Sequence, residues 1–227
     1  WQDAHVQIEG EAVLSLHKSF INDFYFATKQ DLAISKKYTT PYKAINNTKV
    51  QIVSSGPDYD QSVVMQQYLS FINLAEKSIC VVNPYFIPTF SILEAFKIAA
   101  LSNIKVTLLL PKKGDSKIAT YSMYSYFEIL LKAGVEIYLR DDFAHSKVVF
   151  IDDEIASIGS TNFDCRSFEH NYELNAIIYD KEITSEIRQE FDDRKNKAQK
   201  IELQQFLNRS KKQKTLERIC RFFSPLL

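Results

Sequence analysis

The chain has 227 residues, 45% of them hydrophobic, with 28 basic side chains against 28 acidic ones; this excludes a disordered chain and argues against a polycation that coats nucleic acid. Three cysteines, Cys80, Cys165 and Cys220, are odd in number, far apart and in no CxxC arrangement, which speaks against a disulfide scaffold or a zinc module and fits a reducing compartment. No apolar run approaches the roughly 18 to 20 residues needed to cross a bilayer, and no signal-peptide layout opens the chain. The first residue is Trp1, inside what reads as an ordered segment, so an excised piece of a longer protein is expected.

Taken in order, Val13, Leu16, Phe20 and Phe24 recur at helical spacing after Gly10 and predict an amphipathic helix that fades at Lys29. Residues 31–49 are polar and read as a linker. Beyond them the pattern alternates: strand 50–54, helix 60–76, strand 78–82, helix 91–101, strand 105–110, helix 116–132 and strand 135–139. Strict alternation implies βαβ crossovers, hence an α/β fold with a mixed, largely parallel sheet covered by helices on both faces. Three closely linked strands follow at 147–151, 154–158 and 174–179, the first two joined by Ile151-Asp152-Asp153-Glu154 as a hairpin that lacks the usual glycine. From Lys181 the chain is charged and helical. Its basic end, with Phe222, Phe223, Leu226 and Leu227, reads either as a helix docking its apolar side on the domain or as a segment lying on an anionic lipid surface.

One segment is dense in chemistry: HSKVVFIDDEIASIGSTNFDCRSFEHNYELN, from His145 to Asn175. His145 and Lys147 are two apart on an extended segment and so project from one face. Gly159 permits close backbone approach, while Ser160 and Asn162 add short donors suited to a phosphate. A histidine can attack phosphorus or protonate a leaving alkoxide, and a lysine can supply the positive charge that a metal otherwise lends the transition state. His145 has no second ligand at metal-binding spacing, so neither a metal nor another cofactor is called for.

His145, Lys147, Asp152, Gly159, Ser160 and Asn162 match every defined position of the HxK, D, GS, N signature of the phospholipase D superfamily. Within it the chain resembles the C-terminal half of the bacterial cardiolipin synthases over almost its whole length. WQDAHVQIEGEAV, SGPD, NPYFIP, LLLPKKGDS, SYFEILLKAGVEIY, NFDCRSFEHNYELN and the closing FSPLL carry the likeness. The resemblance implies a phospholipase D-like fold in which two halves, each with one motif, share a site. Residues 1–30 would then end the first half, 31–49 link, and 50–227 form the second half with its basic tail. One histidine becomes covalently phosphorylated and the other serves as acid and base; by resemblance the upstream histidine is the nucleophile and His145 the acid and base. With one motif in this chain, the partner is an upstream half or a second copy.

The resemblance further implies that Lys147 binds phosphate together with Gly159, Ser160 and Asn162. Asp152 belongs to the signature and is grouped with His145, Lys147 and Glu173 as the catalytic set, although in the family it mostly holds structure. Glu173 is expected to accept from the His145 ring, and Asp3 to orient the histidine of the first motif. His5 and His170 read as pocket wall or surface, His17 as structural. Tyr85 and Phe86 are expected to line a substrate channel or the core, and Asp115 and Ser116 to form a substrate loop; Arg166 stays open and Cys165 carries no chemistry.

The implied activity is phosphatidyl transfer between two phosphatidylglycerol molecules, giving cardiolipin and glycerol, at the inner face of the bacterial cell membrane in the intact protein. Net neutrality suits a lipid better than a nucleic acid. The rivals are a phosphodiesterase that hydrolyses phospholipid or DNA, and a half-domain without turnover that serves only in assembly.

Overall fold

The computed structural model describes residues 2–32 and 47–227, so most of the expected linker lies outside the described residues. The first helix, α1 (Ala12–Thr28), ends where Lys29 turns left-handed and its amide bonds back to the Tyr25 carbonyl at 2.7 Å. Its apolar stripe is only partly covered: Val13, Leu16 and Phe24 are half-buried, Phe20 is 56% exposed and no residue of α1 is fully buried.

The remaining elements are β1 (Lys49–Ser55), α2 (Val63–Leu74), β2 (Ser78–Val82), α3 (Phe90–Leu101), β3 (Lys105–Pro111), α4 (Lys117–Ala133) and β4 (Glu136–Arg140). After these come β5 (Val148–Ile151), β6 (Ile155–Gly159), α5 (Cys165–Glu169), β7 (Glu173–Tyr179) and α6 (Lys181–Asn196). The chain closes with β8 (Gln199–Lys200), α7 (Leu203–Leu207), α8 (Lys211–Phe222) and a 3-10 turn at Ser224–Leu226. The strands form one sheet in the order β1-β7-β6-β5-β2-β3-β4-β8.

The sheet is mixed, as expected, but not largely parallel. Only β2–β3 and β3–β4 pair in parallel, and every other neighbour is antiparallel. True crossovers through α3 and α4 produce those two pairs. The sequence order of β1, α2 and β2 looks like a third crossover, yet β1 pairs antiparallel with β7 at the sheet edge, and β7, β6 and β5 stand between it and β2. Alternation along a chain does not specify spatial neighbours.

Helices cover both faces, and each central strand divides its side chains between them with a period of two. Ile79 and Val81 of β2, Leu108 and Leu110 of β3 and Val149 of β5 pack with α2, α3 and α4. Cys80, Val82, Leu109, Val148 and Phe150 face the other way and meet Phe191 of α6. A strand buried on both sides has no polar face, which is why these strands read as continuous apolar runs.

The hairpin joining β5 and β6 forms without glycine. Asp152 and Asp153 both adopt left-handed backbone, with φ of 54° and 57°, and the Glu154 amide bonds to the Ile151 carbonyl at 3.0 Å. Aspartate tolerates this conformation better than most residues. At the far end of the chain, α8 docks on α4: Cys220 and Glu217 are buried, and the Arg209 guanidinium grips Glu217 at 2.8 Å. The docking expectation holds, while Phe222, 82% exposed, projects outward. No helix among the described residues is long and apolar enough to cross a membrane.

Candidate active site

Because β5 runs antiparallel to β2, with Val148 opposite Val82, the start of β5 lies beside the carboxyl ends of β2, β3 and β4. The carboxyl ends of parallel strands are where open α/β sheets place ligands. The segment before β5 is extended and paired: Ala144 bridges Gln2 in parallel, and the His145 amide donates to the Gln2 carbonyl at 2.7 Å. The N-terminal strip thus braces the backbone that presents the imidazole.

His145 and Lys147 share one environment. The Lys147 Nζ lies 2.9 Å from both Nδ1 and Nε2 of the ring and donates to the His145 carbonyl at 2.7 Å. Equal distances place the amine beside the ring rather than in line with a single nitrogen. Lys147 is only 6% exposed. Burial pushes its ammonium below the usual lysine range, against the opposing pull of Asp3, Glu173 and Asp164. A cation kept in such a site is poised to gain from an arriving anion.

The Gly159-Ser160-Thr161-Asn162 turn closes the other side. A Cβ on Gly159 would sit 1.9 Å from Asn175 Oδ1 and 2.3 Å from the Leu174 carbonyl. The glycine is therefore required by the approach of β7, not only by a ligand as its motif suggests. Ser160 Oγ donates to Glu173 Oε2 and accepts the Leu174 amide at 3.0 Å, while Thr161 Oγ1 donates to Asn175 Oδ1 at 3.1 Å. Buried Asn83, in the NPYF segment, holds the turn from outside: its Nδ2 donates to the Thr161 carbonyl at 3.2 Å and its Oδ1 accepts the Phe163 amide at 3.4 Å. Asn162 Oδ1 is buried without a hydrogen-bond partner, an uncommon state that a bound donor would relieve.

His145, Lys147, Gly159, Ser160, Asn162, Glu173 and Asp3 all line one open cleft of about 630 Å³. His5, Asn171 and Tyr172 line it too, so His5 is pocket wall. Asn171 and Tyr172 were not singled out from sequence, although they directly precede Glu173.

Two expected placements change. The carboxylate that meets His145 is Asp3, with Oδ2 3.2 Å from Nδ1. Glu173 is instead engaged by Ser160 at Oε2 and by Asn171 Nδ2, 3.3 Å from Oε1. Asp152, grouped with the catalytic set, lies at the opposite end of β5, roughly 20 Å away by strand rise. Its carboxylate accepts the amides of Glu76, Lys77 and Ser78 at 2.8, 2.7 and 2.8 Å. Burial works against that charge, yet the three amides and the Lys77 ammonium outweigh it and hold the carboxyl below its ordinary range. Of the two placements expected for Phe86, channel or core, the structure takes the core: the ring is fully buried and stacks on Phe163 at 5.5 Å between centroids.

Other candidates fall around the cleft. The Tyr85 hydroxyl donates to Asp115 at 2.5 Å, and burial followed by that carboxylate pushes its phenol up. Ser116 caps α4 by accepting the Ala119 amide at 3.4 Å. The Arg166 amide bonds to the Leu227 carbonyl at 3.0 Å, joining the motif segment to the chain end. Among the described residues, Cys165, Glu169 and His170 form a group with ligand atoms within 4.8 Å of one another, outside the cleft. The Cys165 thiol there is pushed up to about 11 by burial and then by Glu169, which keeps it protonated near neutral pH.

Comparison with known proteins places this geometry. The family described as "Cardiolipin synthase, PLD-like domain" matches residues 68–195. The chain is 41% identical over 230 residues to the cardiolipin synthase of Geobacillus thermodenitrificans and 39% identical over 236 residues to cardiolipin synthase 1 of Bacillus anthracis; each match covers all of this chain and 46% of the relative. It thus spans about half the length of these curated relatives. Among solved structures, phosphatidylserine synthase of Haemophilus influenzae superposes with a TM-score of 0.68 at 13% identity, over 95% of this chain and 59% of that one. Nuc of Salmonella typhimurium, a phospholipase D family member, gives 0.59 at 21% identity, over 69% of this chain and 99% of that one; both likenesses establish the fold. With more than half of its residues matched and a histidine, lysine and glycine turn meeting in one cleft, the chain belongs to the cardiolipin synthase, phospholipase D-like domain family.

Proposed function

We propose that this chain is the second catalytic half of a cardiolipin synthase, transferring a phosphatidyl group from one phosphatidylglycerol to the glycerol head of another. The observation that carries the reading is the buried Lys147 ammonium held against the His145 ring, over the cleft that also contains Gly159, Ser160 and Asn162. A phosphodiester seated there meets a fixed positive charge in a site of low dielectric, where charge stabilisation is strongest.

The reaction takes two displacements. A histidine nitrogen of the partner motif attacks phosphorus, the bond from phosphorus to the glycerol oxygen breaks, and that oxygen takes a proton from His145. The hydroxyl of a second phosphatidylglycerol then gives its proton back to His145 while its oxygen displaces the histidine nitrogen. No proton, electron or cofactor is consumed, and each step is an attack by a positioned nucleophile. Asp3 at Nδ1 of His145 fixes the ring so that Nε2 serves the reacting oxygen, as the acid partner of a hydrolase histidine does.

The partner motif comes from an upstream half or from a second copy of this chain. In the intact protein the work is done at the inner bacterial membrane, where the substrate resides. The test is product analysis with the full-length protein on phosphatidylglycerol. Cardiolipin with released glycerol supports transfer; phosphatidic acid as sole product replaces it with hydrolysis. This chain alone is expected to turn over no substrate until the half bearing the other motif is added, and cardiolipin formation by the isolated chain would overturn the shared-site reading.

A further inference from the structure

The short helix α5 gathers three side chains of different metal-ligating chemistry. Asp164 caps it by accepting the Ser167 amide at 2.7 Å, and Ser167 and Phe168 are buried, with Phe168 edge-on to Phe163 at 5.9 Å between centroids. With that side fixed on the core, Cys165 and Glu169, one turn apart, share a face, and His170 follows where the helix ends. The Cys165 Sγ, a Glu169 carboxylate oxygen and a His170 ring nitrogen lie within 4.8 Å of one another, and both Glu169 and His170 are exposed to solvent.

The donor set selects the ion. The Cys165 thiol donates to the Glu169 carboxylate, so one proton already bridges sulfur and oxygen. Asp164 adds to the negative field at the sulfur, and Arg166 offsets part of it. A hydrogen-bonded pair one turn apart is ordinary on a helix; the imidazole converging on it as a third, unlike donor is what points to a metal. Tetrahedral zinc, with bonds of about 2.3 Å to sulfur and about 2.0 Å to nitrogen and oxygen, sets its ligands roughly 3.3 to 3.7 Å apart, a closure within reach of two exposed side chains. Thiolate, imidazole and carboxylate together suit zinc, whereas magnesium and calcium take oxygen ligands.

The group lies outside the cleft yet is tied to it. The amides of His170 and Asn171 both bond to the Arg166 carbonyl at 2.9 Å, Asn171 Nδ2 donates to Glu173 Oε1 at 3.3 Å, and Asn171, Tyr172 and Glu173 line the cleft. We infer that Cys165, Glu169 and His170 bind a divalent cation of the zinc class, which clamps the end of α5 and so restrains the Asn171 to Glu173 segment that walls the cleft. The ion is a brace and touches no reacting atom. On binding, the Cys165 sulfur releases its proton to solvent and bonds the metal, with nothing oxidised or reduced. The fourth position falls to water.

The experiment titrates the full-length protein, stripped with a chelator, with Zn²⁺ and with Co²⁺, beside the double variant Cys165→Ser, His170→Gln. Any metal bound elsewhere is common to both proteins and cancels in the difference. The unmodified protein is expected to bind one equivalent more than the double variant and to show a thiolate-to-cobalt charge-transfer band in the near ultraviolet that the variant lacks. Cys165→Ser alone should weaken zinc at least about 100-fold, since even a supporting contact is worth about 10- to 100-fold at a metal site. Excess Mg²⁺ should leave the cobalt band unchanged. In the unmodified protein only, zinc should slow hydrogen exchange at the amides of residues 169–173 about tenfold, as expected of a segment whose local opening is restrained. Equal zinc stoichiometry in the two proteins overturns the site, as does a cobalt spectrum without the thiolate band or displacement by Mg²⁺; unchanged exchange at residues 169–173 overturns the clamp. Should the double variant fold poorly, Glu169→Gln, at an exposed position, gives the same comparison with an expected loss of about tenfold in zinc affinity, and undiminished affinity there overturns the site as well.

Discussion

The two ends of β5 carry residues of one sequence motif and solve opposite problems. At its start, the Lys147 ammonium is buried against an imidazole and kept below its usual pKa range by that burial. At its end, the Asp152 carboxylate accepts three backbone amides and is held as an anion. A charge fully answered by backbone is architecture, because nothing that arrives later can improve it. A charge left desolvated beside an open cleft is chemistry, because an anionic ligand restores what burial took away.

The sharpest way to break this contrast is His145→Ala in the full-length enzyme, which should lower kcat about 10⁴-fold, the upper range for loss of an acid and base, with an unchanged circular-dichroism spectrum. Near-normal cardiolipin formation would remove His145 from the mechanism. Lys147→Met comes next, with a fall of about 10³-fold in kcat/KM, the scale of losing one preorganised charge partner. The pH profile carries the same signature. Lys147 is charged below its folded pKa and loses that charge as pH rises through it; since burial lowers that pKa, the alkaline limb of kcat/KM should begin at lower pH than for an exposed lysine. Lys147→Arg should remove that limb, since a guanidinium stays protonated.

Two further variants should act on stability. Gly159→Ala drives a methyl into Asn175 and the Leu174 carbonyl and should cost about 3 kcal/mol by overpacking, read as a lower urea midpoint. Asp152→Ala removes a charged acceptor from three amides and should cost about 2 kcal/mol at neutral pH, with kcat in the remaining folded enzyme unchanged. The sign with pH follows from the lowered carboxyl: its stabilisation is complete above the unfolded value of 3.8 and is lost as pH falls through the folded one. The unmodified protein should therefore lose its advantage over Asp152→Ala in acid. A kcat loss comparable to that of Lys147→Met would place Asp152 among the reacting groups and dissolve the comparison.

Most elements were legible because their signals are local. The apolar runs of β2, β3 and β5 mark doubly covered strands wherever they lie in the sheet, and α4 carries its own serine cap. The hairpin at Asp152 and Asp153 was legible despite lacking glycine, since its flanking strands and tight spacing were enough. Strand direction was not, because β1 sits beside β7, more than a hundred residues later, and no local pattern records such a pairing.

By itself, the sequence specified the ingredients: an imidazole and an amine two residues apart on an extended segment, followed by a glycine turn, which is the set on which the proposed phosphate chemistry rests. Tertiary structure alone decided which carboxylate meets His145, since Asp3 arrives from the other end of the chain through the bridge of Gln2 to Ala144. It also decided that Gly159 yields to β7 and that α1 walls a groove beside the cleft. The physical reason is the same in each case: residue type and spacing set what a side chain can do, whereas the identity of its partner depends on contacts between segments distant in sequence.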